Sequence, residues 1–231
     1  MQKKYKVNLL GQGLNRHGWE PIKEILRQSG AECLMFNHHE TLPAESDLVI
    51  LLGYDRIVPK AQIKQPSRGT ILFHSSDLPE GRGWAPIYNT IARGLPLTQT
   101  LLFAEEEIDS GDIIAKARYP LSGNETESEV RDIDDALTVF LLKNKISDIL
   151  SGKIKAQKQD KNPFSWWDRR TPADSEVFVD DNTLRILDHV RALPEKAPAF
   201  VYIRGRKFFL RLEPEDNAYG VKSGLIELVA D

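Results

Sequence analysis

Leu48-Val49-Ile50-Leu51-Leu52 is an apolar run without a polar interruption. This is the pattern of a strand covered by helices on both faces of a parallel sheet, not of one that alternates between core and water. Thr70-Ile71-Leu72-Phe73 has a similar character and delivers His74 at its end. Upstream, Val7 to Leu10 reads as a strand, Trp19 to Leu26 as a helix from the spacing of its apolar residues, and Ala31 to Phe36 as the next strand. Ile57 to Ile63 is expected to be a short helix. Downstream, Leu97 to Phe103 and Ile113 to Ala117 read as strands flanking the turn Asp109-Ser110-Gly111. Thr126-Glu127-Ser128-Glu129 has the form of a capping box, after which Val130, Ile133, Leu137, Phe140 and Leu141 keep helical spacing until Gly152. The alternation predicts an α/β fold over residues 1–152, a doubly wound Rossmann-like sheet that is mostly parallel.

Residues 153–175 turn polar and irregular, with Pro163, Pro172 and the pair Trp166-Trp167, and read as a linker packed on the surface. Residues 176–231 read as a small α+β C-terminal module. It comprises a helix over Leu184 to Leu193, a hairpin of Phe200 to Ile203 and Phe208 to Leu210 around Arg204-Gly205-Arg206, and a further strand over Leu225 to Val229. The aromatic hairpin is a candidate surface for a homodimer.

A chain of 231 residues with 41% hydrophobic content can bury a full core and a small appended unit. Its 31 basic and 34 acidic residues leave a net charge of -3, which supplies no broad attraction for nucleic acid or a membrane surface. Cys33 is the only cysteine, so neither an intrachain disulfide nor a thiolate metal cluster can form. Met1 to Lys6 runs into a strand rather than a signal-peptide core, and no apolar run nears the roughly 20 residues of a membrane span, so the expected location is cytoplasmic.

Two glycine and histidine patterns lead away from chemistry. Gly11-Gln12-Gly13 opens like a dinucleotide fingerprint, but Arg16 occupies the place of its third glycine and no acid follows at Phe36-Asn37-His38, so NAD is not expected. His38-His39 are adjacent and gather no further ligands, so no metal is expected.

The informative stretch is His74-Ser75-Ser76-Asp77-Leu78-Pro79-Glu80-Gly81-Arg82-Gly83-Trp84-Ala85-Pro86-Ile87. A strand end in an open α/β sheet is where such folds bind ligands. His-x-Ser-x-Leu-Pro followed by Arg-Gly-x-x-Pro-Ile resembles the signature of the folate-dependent formyltransferases, the family of glycinamide ribonucleotide, methionyl-tRNA and amino-sugar formyltransferases. Ile108-Asp109-Ser110-Gly111 resembles that family's second motif. Arg169 to Ser175 is similar to a segment that follows the catalytic domain in amino-sugar formyltransferases.

The resemblance implies transfer of the formyl group of 10-formyltetrahydrofolate, without a metal, to an amine on a nucleotide-linked sugar, such as a UDP-linked 4-amino-4,6-dideoxy sugar for a surface glycan. It assigns His74 to polarising the formyl oxygen and Asp109 to holding the imidazole charged and relaying the amine proton. It places the folate against Arg56, Ile57, Val58 and the run Glu105, Glu106, Glu107, Ile108. The residues themselves offer Trp84 to the folate or the acceptor, Ser75 and Ser76 as donors beside the transferred group, Arg169 and Arg170 to a diphosphate or to solvent, and Trp167 to a nucleotide base or to pinning the linker. One position departs: the family's usual Asn-x-His has Leu72 in place of the asparagine. The other readings are a methionyl-tRNA or other formyltransferase, a formyl-folate hydrolase, and a non-catalytic folate or nucleotide-sugar binding module.

Overall fold

The computed structural model describes residues 5–11, 19–37, 45–54, 56–160, 164–178, 182–212 and 226–229. The chain begins with β1 (Tyr5–Gly11), α1 (Trp19–Gln28), β2 (Ala31–Asn37), β3 (Leu48–Leu52), α2 (Lys60–Ile63) and β4 (Thr70–His74). Next come β5 (Arg82–Gly83), α3 (Pro86–Ala92), β6 (Leu97–Phe103), β7 (Ile113–Tyr119) and the long α4 (Glu127–Ser151). Beyond it lie β8 (Trp166–Trp167), a 3-10 turn (Pro172–Ser175), α5 (Thr183–Arg191), the hairpin β9 (Ala199–Ile203) and β10 (Arg206–Leu210), and β11 (Glu227–Val229).

Seven strands form the central sheet in the order β11-β7-β6-β4-β3-β1-β2. The ladders among β1, β2, β3 and β4 are parallel, whereas β4-β6, β6-β7 and β7-β11 are antiparallel. The sheet is thus mixed, although β7 regains the direction of the first four strands. Residues 104–112 are too short for a crossover, which takes a dozen or more residues, so β6 and β7 must pair antiparallel. β11 returns from the carboxyl-terminal part of the chain to the edge of this sheet. Among the described residues no helix is long and apolar enough to cross a membrane.

The apolar run of β3 divides between two clusters. Leu48, Ile50 and Leu52 pack with Ile22 and Leu26 of α1 and with Ile133, Leu137 and Leu141 of α4 in one cluster. Val49 and Leu51 join Leu10, Val58, Ile63 and Ala104 in another, with Leu72 against them. Truncating Leu141, which is fully buried, leaves a cavity between α4 and the sheet. Leu141→Ala is expected to lower unfolding free energy by about 3 kcal/mol in urea titrations, and a loss below about 1 kcal/mol would contradict this packing.

α4 starts where the capping box predicts. Thr126 Oγ1 accepts from Glu129 N, the Glu129 carboxylate accepts from Thr126 N at 2.7 Å, and Gly152 ends the helix with φ 73°. α2 is shorter than expected because Pro59 stands extended before it (ψ 138°). A residue preceding proline is disfavoured from the helical region, which keeps Val58 and Ile57 out of the helix. The β9-β10 turn, Arg204-Gly205, has φ 50° and 80°, both left-handed, as a two-residue hairpin turn requires. α5 docks beside α3 through a 2.7 Å hydrogen bond between Tyr88 and His189, and Arg191 donates to Glu125 O at 2.8 Å.

Candidate active site

His74 closes β4 and is 8% exposed. Its Nε2 donates to Gly81 O at 2.8 Å, and its Nδ1 faces Asp109 Oδ2 at 3.5 Å. A carbonyl and a carboxylate both accept, so a ring with protons on both nitrogens would satisfy both neighbours. Asp109 comes from the β6-β7 turn, with left-handed φ 53°, and its Oδ2 also accepts from Gly83 N at 3.0 Å. Gly111 follows because a Cβ there would lie 1.8 Å from Phe103 O. The close approach of β1 to β3 likewise explains Gly11, whose Cβ would lie 1.9 Å from Leu52 O; Gln12, Gly13 and the His38-His39 pair fall outside the described residues.

A cavity of about 1030 Å³ opens on the His74-Asp109 pair. On one side it is lined by Arg56, Ile57, Val58 and the turn Glu105, Glu106, Glu107 and Ile108, with Trp84 also at the wall. Val58 also belongs to the core behind it. Lys60 and Glu106 pair at 2.5 Å, both exposed, and the ammonium holds the Glu106 carboxyl below its usual range. Elsewhere the lining includes Tyr88, Arg131, Asp134, Asp135 and Arg170. Among the described residues no group of three or more His, Cys, Asp or Glu side chains could hold a metal ion.

Of the residues expected to meet the acceptor, Ser75 and Arg170 line the cavity. Arg170 stacks on Tyr88 at 3.5 Å. Ser76, Trp167 and Arg169 do not line it, and their surroundings explain why. Ser76 Oγ donates to Glu80 O at 2.8 Å and Ser76 O accepts from Thr100 Oγ1 at 2.6 Å, so its polar atoms hold the loop. Trp167 is buried where a Cβ on Gly81 would meet its ring at 2.5 Å. Arg169 lies over Trp84 at 4.9 Å. Leu72 borders the cavity but packs with Leu78, Leu102 and Ile113 as well, so the place of the usual amide is an apolar wall. Sequence reasoning did not single out Tyr88, which follows the motif on α3, nor Gln159 and Ser165 in the polar stretch 153–175, and gave Arg82 no role beyond its place in the Arg-Gly motif.

Residues 21–136 match the formyl transferase family, half of the chain. This chain belongs to that family. As a formyl transferase family member it is 28% identical over 208 residues to a methionyl-tRNA formyltransferase of Fusobacterium nucleatum, covering 87% of this chain and 66% of that protein. It therefore spans just under two thirds of that relative's length. In three dimensions it is similar to a 4-N formyltransferase from Francisella tularensis, with TM-score 0.81, 21% identity, and 92% and 98% of the two chains covered. It is also similar to the formyltransferase PseJ from Anoxybacillus kamchatkensis in complex with UDP-4,6-dideoxy-4-formamido-L-AltNAc and tetrahydrofolate, with TM-score 0.59, 21% identity, and 70% and 85% covered. At these identities the two structures establish the shared fold.

Proposed function

We propose that the protein moves the formyl group of 10-formyltetrahydrofolate to the amine of a nucleotide-linked amino sugar, with residues 1–152 as its catalytic unit and 153–175 and 176–231 as linker and C-terminal module. The observation that carries this reading is the His74-Asp109 pair, 3.5 Å apart with side chains 9% and 10% exposed, opening on a cavity large enough for two sizeable ligands. The amine nitrogen attacks the formyl carbon, the carbonyl electron pair moves to oxygen, and the His74 Nε2-H turns from Gly81 O to that oxygen. The amine proton passes through water to Asp109, and collapse expels the folate N10, which receives that proton back from Asp109 through water and leaves as tetrahydrofolate while His74 returns to Gly81 O. Arg56, Ile57, Val58, Trp84 and residues 105–108 would hold the folate, with main-chain groups reading the pterin edge. Ser75 stands closest in kind to the donor that Leu72 lacks, and Arg170 with Tyr88 offers a cation and a ring to the nucleotide.

The similarity of fold to the 4-N formyltransferase and to the enzyme complexed with a UDP-linked formamido sugar supports the sugar acceptor. The sequence similarity to methionyl-tRNA formyltransferases favours a second reading, methionyl-tRNA as acceptor. Tetrahydrofolate release separates them when the enzyme is offered 10-formyltetrahydrofolate with a panel of UDP- and dTDP-linked amino sugars, with methionyl-tRNA, and with no acceptor. Turnover restricted to the sugars is expected. Turnover restricted to methionyl-tRNA, or formate release at an equal rate without acceptor, would replace the proposal.

A further inference from the structure

We infer that Gln159 is a positioning residue that holds the catalytic Asp109 turn, oriented for that task by Arg82. The inference rests on the proposed roles of His74 and Asp109 and concerns how their geometry is kept. Gln159 Nε2 donates to both Asp109 O and Gly111 O, each at 2.8 Å. Its orientation is set by proton bookkeeping, because the Arg82 guanidinium, which can only donate, contacts Gln159 Oε1 at 3.2 and 2.7 Å through Nε and Nη2. The amide nitrogen must therefore face the turn. Both protons of one amide are spent on carbonyls two residues apart, which bridges Ser110 and holds the chain where it leaves the left-handed Asp109.

The same device reaches the carboxylate from the other side. Arg82 is followed by Gly83, whose N-H holds Asp109 Oδ2. Arg82 is itself anchored, with Arg82 N donating to Ser165 O at 3.0 Å and its guanidinium 5.0 Å from the Phe164 ring. Arg82, Gln159, the Asp109 backbone and Gly83 thus close a ring around one carboxylate, and fixing both the main chain and an oxygen of Asp109 fixes its aim at His74 Nδ1.

Gln159→Glu discriminates positioning from packing, since glutamate has the same shape and still accepts from Arg82 but turns an acceptor oxygen, in place of the donor nitrogen, toward the two carbonyls. Expected is a fall in kcat on the order of 10- to 100-fold with KM for the folate within about twofold, as for small misplacements of a catalytic group. Hydrogen exchange of residues 104–112 and of Gly83 should quicken by about tenfold in the free protein, a readout that needs no acceptor. Arg82→Lys keeps the charge but loses the two-point grip and should show the same changes to a smaller degree, which guards against a Gln159 variant that fails to fold. A folded Gln159→Glu protein with wild-type kcat and wild-type exchange would overturn the inference. A wild-type enzyme inactive with every acceptor would sink the proposed reaction instead, leaving the exchange measurement to judge the clamp.

Discussion

His74→Ala is expected to reduce kcat by about a thousandfold with the folate KM little changed. Removing a positioned acid or base typically forfeits 10²- to 10⁴-fold, and His74 is the ring that reaches both Asp109 and the cavity. The fold should tolerate the change. The imidazole contributes one hydrogen bond to Gly81 O, a loss of about 1 kcal/mol, and the loop stays tied through Ser76 and Gly83. Single-turnover formyl transfer and a thermal melt on the same sample separate chemistry from stability. A variant that melts like wild type and turns over within tenfold of it would remove His74 from the reaction.

Asp109→Asn is the companion experiment and should cost a comparable factor, about a hundredfold or more in kcat. The substitution isolates charge. Asparagine tolerates the left-handed backbone that Asp109 adopts at φ 53° nearly as well as aspartate, and its amide oxygen can still accept from Gly83 N. What disappears is the carboxylate that faces His74 Nδ1, which the proposed reaction assigns to taking the amine proton. The loss should appear in kcat measured under the conditions used for His74→Ala. Activity within threefold of wild type would confine Asp109 to a structural turn.

How far the sequence could be read depended on whether the signal was local. β3 was legible because an uninterrupted apolar run has one physical explanation, and its alternate residues do fall into separate clusters. The α4 boundaries were legible because Thr126, Glu129 and Gly152 each act within a few residues. The direction of β6 was not, since it depends on a short connection returning beside β4 rather than on the composition of the strand. The two-residue β5-β8 ladder was likewise invisible, being made across a long separation by Arg82, Gly83, Trp166 and Trp167.

The site divides in the same way. His74 and Asp109 sit in motifs, whereas Gln159 is one glutamine in a polar stretch and acquires its place only when Arg82 and the Asp109 turn converge on it. Ser76 and Trp167 misled for a related reason. A hydroxyl or an indole beside the His74 loop serves equally well to build the loop, and the partners that decide between these uses, Glu80 O for one and the bare backbone of Gly81 for the other, are set by the fold.

The ladder between β5 and β8 has a consequence for recombination between relatives. A crossover placed after α4, the natural seam on a map of helices and strands, would exchange the segment that carries Gln159, Ser165 and Trp167 while keeping the loop they were fitted to. Chimeras that alter acceptor preference therefore have to inherit residues 82–83 and 157–167 from one parent, since these two pieces form a single inherited unit although β6, β7 and α4 lie between them.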